Sequence, residues 1–523
     1  MTTDELEELQ MRYLHALGLA AGLLVLLVAG LAAASDESGS VPVYTVADTT
    51  GDWGFPSPYA HYSRGPGYTR MSFLFDTLVW KDDAGYVPAL AETWDMEGDE
   101  VYIFHLRDGV TWHDGEPFTA EDVIFTVDYT KEHPYQWVDS SIIESAEAVD
   151  DLTVRITLSA PYAPFLDQVG GTLPILPEHI WAEVDDPLNY REEGALVGTG
   201  PYTLNVDDYD MVQGTYRYLA YEDYYLGAPM VSELIFVKIS APNAAAELKQ
   251  GNVDNAPIEP EMIEELEADF EILEVPAHWW NYKLMINHQE EPMSDARFRQ
   301  ALAYAIDRDE LVEIAARGYG LAGSPGFVPP DHDWYNPAMD GYYPHDPARA
   351  EELLDDMGYD GRTIELLVKS ADAEAERIGE LVEADLEAAG IDVDLRVMDS
   401  KAVDSKVGEW DFDLAISGHG GVIGDPNFLA KNTLDDDFNS ARYYDNDELT
   451  DLLTEQVAET DEDARHDLID QAQVLYAEDV PALTLYYTES FVAHDGQVEL
   501  YYTYNGMALG IPIALNKLSF VGV

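Results

Sequence analysis

Between Ile364 and Val397 the sequence changes period twice, and this stretch restricts the possible folds more than any other. Ile364 to Val368 reads as a strand. Ala373 to Ala389 then carries Ile378, Leu381, Val382 and Leu386 at helical spacing, Gly390 ends the helix, and Ile391, Val393, Leu395 and Val397 alternate as a second strand. Two strands joined through a helix lie parallel in one sheet with a right-handed crossover. The chain is therefore predicted to contain an α/β body.

The remaining pattern surrounds that unit with more sheet and helix. After an acidic Ser/Gly spacer from Ser35 to Ser40, Val41 to Ala47 reads as the first strand, and Gly51 to Tyr68 as an ordered loop dense in large aromatics. From Val101 to Arg107 the side chains alternate, Asp108-Gly109 and His113-Asp114-Gly115 supply turns, and Thr119 fits an N-cap whose oxygen would bond the Asp122 amide. Phe118 and Val123 stand at the positions of a hydrophobic staple. Leu152 to Leu158 alternates as a half-buried, antiparallel strand. Ser294 or Asp295 caps a helix striped by Phe298, Ala301, Leu302, Ala305 and Ile306 that should end near Gly318. Asp346-Pro347 opens another, with Leu353, Leu354 and Met357 on its buried face and Gly358 closing it. A strand from Phe412 to Ile416 then leads into the glycine-rich loop Gly418 to Gly424.

At 523 residues the chain exceeds one ordinary core, so several domains or one large two-lobed body are expected. Acids outnumber bases 102 to 27, a formal net charge of −75, yet 46% of residues are hydrophobic. The acids run along the whole length, which makes them a solvated surface. Molar salt shortens the Debye length to about 3 Å and screens such repulsion, so an extreme halophile is inferred. No basic stripe exists to neutralise phosphates, which argues against nucleic acid as a partner. Tyr13 to Ala34 is an apolar run long enough to span a bilayer, with Arg12 before it and Ser35-Asp36-Glu37 after it. That charge order leaves the N-terminus in the cytoplasm and the rest outside. The small residues Ala32-Ala33-Ala34 suit cleavage of a signal peptide, while the length suits a retained anchor. With no cysteine, the chain has no disulfide, thiol nucleophile or lipid-modified thiol.

The segment LRDGVTWHDGEPFTAEDV, Leu106 to Val123, closely resembles the signature of the extracytoplasmic solute-binding proteins of ABC importers, family 5, the dipeptide/oligopeptide/nickel-binding type. Four further stretches resemble that family in the same order: GTGPY at Gly198, PMSDARFRQALAYAIDR at Pro292, YYPHDPARAEELLDDMGY at Tyr342 and GDPNF at Gly424. The resemblance implies a two-lobed, periplasmic-binding-protein-like clamshell of class II type with an additional β-rich insertion. It divides the chain into a first lobe (41–57, 196–275, 488–523), an insertion (58–195) and a second lobe (276–487). It also implies a small-molecule ligand, ABC permease subunits as partners, and a site on the external face of the membrane or in a secreted chain.

In open α/β sheets ligands bind beyond the carboxyl ends of strands, which makes the loop after Ile416 the prime site. Gly418, Gly420, Gly421 and Gly424 let the backbone approach a ligand, and His419 offers a donor or acceptor. Tight turns would need the same glycines. In the family's dipeptide binders an acidic residue just ahead of the Gly-Asp-Pro motif holds the ligand's ammonium group; Val422 stands there instead. Asp425 either touches ligand or orders the loop before Pro426. Arg377 lies near where peptide binders place a carboxylate-clamping arginine. Trp53, Phe55 and Tyr62 in the aromatic loop, and Trp279 and Trp280 before the second lobe, are candidates for stacking on the solute or for core packing.

No motif for catalysis is found: neither HExxH, GxSxG, a phosphate loop nor GxGxxG after a strand is present, and the 13 histidines show no metal-site spacing. No catalytic residue, metal or cofactor is assigned. The sequence reading is a receptor for a peptide-class or similar polar solute. Oligosaccharide binding, a glycoside hydrolase and a sensory ectodomain are the alternatives.

Overall fold

The computed structural model describes residues 41–521 except 50, 63–64, 83–84, 137, 276–277, 279, 371, 423, 435–445, 501–502, 508–510 and 514, with backbone only at 419, 503–507 and 511–513. The apolar run Tyr13–Ala34 lies outside the described residues, among which no helix is long and apolar enough to cross a membrane.

Three sheets carry the architecture. The largest has eight strands and is built around Tyr44–Asp48, which pairs in parallel with Glu233–Lys238 on one side and Asn255–Ile258 on the other. Ser490–His494, near the other end of the chain, lies antiparallel between Asn255–Ile258 and Glu271–Val275. A four-stranded antiparallel sheet runs Ala91–Glu97, Val101–Leu106, Thr153–Leu158, Ile143–Asp150. The third sheet has six strands in the order Gly320–Ala322, Ala482–Thr488, Trp280–Ile286, Leu414–Gly420, Ile364–Lys369, Val393–Met398. Its Ile364–Lys369 and Val393–Met398 strands are parallel and flank the helix Ala373–Ala388, as their period implies.

Apolar burial divides these sheets into two bodies. One continuous core joins the large and four-stranded sheets, running from Tyr44, Phe236 and Tyr218 through Phe73 to Phe104 and Val154. The six-stranded sheet buries a separate core around Leu284, Leu302, Leu366 and Ile416. Gly65–Ser72 is helical rather than loop, and Phe73 just after it packs on Tyr202, Tyr218 and Phe236 of the large sheet.

The helix expected from Asp295 to Gly318 is two helices, Ala296–Ala305 and Arg308–Ile314. Ile306 is extended, and the Asp307 carboxylate accepts from the Glu310 amide, so a second cap restarts the helix. Arg308 is held by the carbonyls of Gly323 and Tyr343, which fixes the corner. Thr119 caps its helix through a reciprocal capping box: its side chain accepts from the Asp122 amide as the sequence implies, and its own amide donates to Asp122 Oδ2 at 2.9 Å. The Asp346 cap and left-handed Gly358 stand as the sequence implies.

Two of the ordered sequence motifs meet in one knot. His113 Nδ1 accepts from the Gly198 amide at 3.1 Å and its Nε2 donates to the Gly200 carbonyl at 2.9 Å. Burial lowers the pKa of this imidazole, favouring the neutral form that can both accept and donate. A Cβ on Gly198 would land on the Leu74 carbonyl oxygen. Gly198→Ala is accordingly expected to cost about 1–3 kcal/mol of stability through overpacking against backbone. A thermal melt unchanged by the substitution would show that this crossing can relax.

Candidate functional site

The strand Leu414–Gly420 extends four residues beyond the expected Ile416. Gly418 and Gly420 sit in register with Tyr282 and Trp280, so the first two glycines of the loop are strand residues. Gly418 is small for a packing reason: a Cβ there would meet the Trp280 indole at 2.8 Å. The turn follows at Gly421 to Pro426, with Gly424 at φ +64°, and Asn427–Leu434 is helical.

Asp425 organises that turn. Its Oδ1 accepts from the Asn427 amide at 2.8 Å, and its two oxygens take a bidentate grip from Arg465 at 2.7 and 2.8 Å. Arg465, on the helix Glu462–Asp479, also donates to Gln456 Oε1 and to the Gln456 carbonyl, and its guanidinium lies 5.2 Å from the Trp334 ring centre. Gln456 in turn donates to Asn427 Oδ1 at 3.1 Å. The ion pair is almost wholly buried, and these bonds compensate its desolvation.

This turn meets the other body. The Asp425 amide donates to Asp167 Oδ2 at 3.2 Å, and Asp167 Oδ1 is paired with Lys81 and accepts from Tyr86 Oη. Two more bonds cross nearby, Ala163 amide to Val457 carbonyl at 2.8 Å and Thr460 Oγ1 to Asp99 at 3.2 Å. Between them lies a cavity of about 590 Å³ whose walls include Lys81, Tyr86 and Asp167 from one body and Trp334, Asp425 and Arg465 from the other. Its size falls within the ~300–1,000 Å³ range of small-molecule sites. Beside the cleft, burial pulls the pKa of His332 down to about 4, leaving a neutral ring whose Nδ1 accepts from the Trp334 amide.

Of the sequence candidates among the described residues, Gly424 and Asp425 line this cavity. Val422 is buried in an apolar cluster with Phe327, Val328 and Phe428. Trp280, 38% exposed, lies against Gly418; Gly420 has open space where a Cβ would sit, and Gly421 is buried. Trp53, Phe55 and Tyr62 gather on the first body around Asp52 and Tyr216: the Trp53 amide donates to Tyr216 Oη, Tyr62 Oη to Asp52, and Phe55 packs edge-on to Tyr209. Arg377 is half-buried on the opposite face of the six-stranded sheet, where Tyr282 bonds Asp372 and Tyr486 bonds Glu374. Trp279 and the His419 side chain lie outside what is described. Lys81, Asp167, Trp334 and Arg465 were not candidates. Arg465 alone left a trace, as a single base inside an acidic helix, but its partner lies 40 positions away.

With this geometry in place, comparison with known proteins is informative. Residues 85–440 match the family of bacterial extracellular solute-binding proteins, family 5, middle region. A di/tripeptide-binding protein of Pseudomonas aeruginosa is 30% identical over 462 residues, covering 79% of this chain and 84% of that protein. The dipeptide-binding protein of Escherichia coli is 28% identical over 446 residues, covering 77% and 81%. Among solved structures, the ABC transporter substrate-binding protein CtaP of Listeria monocytogenes superposes with a TM-score of 0.77 at 24% identity, covering 88% of this chain and 95% of that one, a likeness of fold.

Proposed function

The chain belongs to family 5 of the bacterial extracellular solute-binding proteins, and from that premise we propose that it captures a short peptide outside the cell and delivers it to an ABC permease. The observation that carries the proposal is the cavity at the seam of the two bodies, closed by bonds such as Asp425 to Asp167 that neither body makes alone. Closing around a solute selects the state in which these bonds exist, so capture and presentation to the permease come from one equilibrium. The peptide relatives at 28% and 30% identity support the solute class.

Three finer points belong to the same proposal. The divisions at 57/58, 195/196, 275/276 and 487/488 separate the lobes and the insertion. Tyr13–Ala34 places the chain outside the membrane, as an anchor or a cleaved signal. The net charge of −75 adapts it to molar salt.

Thermal shift in molar salt is the direct test, with a di- and tripeptide pool against xylo- and cello-oligosaccharides. At a hundredfold excess over Kd a bound peptide should stabilise the protein by about 2.7 kcal/mol. Tyr86, Tyr102 and Trp334 around the cavity would also suit sugar rings. A shift with oligosaccharides and none with peptides would sink the peptide proposal.

A further inference from the structure

His278 sits where the chain leaves the strand Glu271–Val275 of the first body for Trp280–Ile286 of the second. Glu489 is the single residue between Ala482–Thr488 and Ser490–His494, where the chain returns. The imidazole is 7% exposed. Its Nδ1 lies 2.6 Å from Asp331 Oδ2, and its Nε2 faces Glu489 Oε1 at 3.6 Å without a hydrogen-bond partner.

The neighbours fix where this ring carries its hydrogen. An ionised carboxylate only accepts, so the short contact to Asp331 puts the hydrogen on Nδ1. In the neutral ring Nε2 is then a bare lone pair pointed at a second carboxylate, acceptor against acceptor. One proton, on Nε2 or on Glu489, turns that repulsion into a hydrogen bond. Glu489 is poised to share it: burial raises its pKa above the ordinary carboxylate value, Glu274 and Asp331 add to the rise, and His278 opposes it. Around the pair stand Glu274 from the first body and Asp331 from the second, with the Tyr487 ring edge-on to the imidazole at 6.4 Å. His332, next to Asp331, stays neutral and accepts from the amide of Trp334 in the cavity wall. The Asp331 partner of His278 thus belongs to the segment that forms that wall.

We propose that His278 and Glu489 form a proton-operated clasp between the two connections, made when they share one proton and released when it leaves. The clasp favours the closed arrangement, and it rests on the receptor reading only for what closure serves. A proton held more tightly in the clasped form stabilises that form at low pH, and the contribution is lost as pH rises. Capture therefore strengthens toward acid, within the window of about pH 8 to 5 in which histidine changes charge. Burial keeps the contact effective in molar salt.

Because the chain has no cysteine, the test needs no solute: spin labels at the exposed positions Val212→Cys on the first body and Val397→Cys on the second report the distance between bodies by pulsed electron resonance. In molar sodium chloride, lowering the pH from about 8 to about 5 should narrow the distribution of the labelled chain. Its broad component should fall about tenfold, the worth of one hydrogen bond to a charged group. Glu489→Gln sets an amide donor opposite Nε2 and should stay narrow at every pH; His278→Phe should stay broad. A distribution unmoved by pH in the chain with both groups intact overturns the clasp, as does either variant responding to pH or a broad Glu489→Gln. Nitrogen resonances of His278 give a second reading: a hydrogen on Nε2 instead of Nδ1 at high pH would remove the mismatch and end the proposal. With no solute in the sample, failure of the clasp leaves the peptide proposal standing, and failure of every peptide to bind leaves the clasp standing.

Discussion

Replacing Asp76 with alanine is expected to lower the free energy of unfolding by about 3–5 kcal/mol, because it strands a buried cation. Lys517 Nζ is paired with Asp76 and donates to the carbonyls of Ser72 at 3.2 Å and Phe75 at 3.4 Å, with its charge 3.9 Å from the Trp80 ring centre. Side-chain exposure is 1% and 0% for the two partners. Burial already lowers the lysine's pKa, and the Asp76 carboxylate opposes that shift. The pair also straps the chain's C-terminal stretch onto residues 72–80, 441 positions away. Urea unfolding in molar salt measures the loss. The double variant Asp76→Ala/Lys517→Met should recover much of it, since removing both charges removes the desolvation burden. A single variant within 1 kcal/mol of wild type would mean that water reaches this pair.

The second large effect is expected at Arg465. Changing it to methionine leaves the Asp425 carboxylate buried without its bidentate partner and releases two acceptors on Gln456, which should cost about 3–5 kcal/mol. Unlike the Asp76 change, this one acts at the seam, because the Asp425 amide is the group that reaches Asp167. Solute affinity should therefore fall by at least tenfold while the melting of the other body is preserved. Arg465→Lys keeps the charge but not the planar fork, and should recover only part of the binding. Calorimetric titration with whichever solute shifts the wild-type melt provides the comparison, and unchanged affinity would separate the Asp425 turn from closure.

Much of the fold was legible because it is written in short-range periods. Ile378, Val382 and Leu386 with Gly390 behind them specify a helix between parallel strands whatever surrounds them. Misreadings arose where a local cap overrides the apolar stripe or where a distant neighbour decides. Asp307 restarts a helix that the stripe through Ile306 continues, and the Trp280 indole, not a turn, explains Gly418. The cleft was less legible still. The Gly-Asp-Pro motif pointed to Asp425, but Lys81, Asp167 and Arg465 have no local pattern linking them, since their pairings span 86, 258 and 40 positions.

The division of the core into two bodies has a mechanical consequence. The chain passes between them twice, from Val275 to Trp280 and from Thr488 to Ser490. Both threads leave neighbouring antiparallel strands of one sheet and enter neighbouring antiparallel strands of the other. His278 stands at this crossing, its Nδ1 2.6 Å from Asp331 and its Nε2 3.6 Å from Glu489 of the second thread, so the two threads run side by side. A single thread would leave the bodies free to swivel; two running side by side suppress torsion and leave one soft rotation, about the line that joins them. In the proposed capture cycle each opening would thus retrace the path of the last closure, and the groups facing one another across the gap would return to the same register.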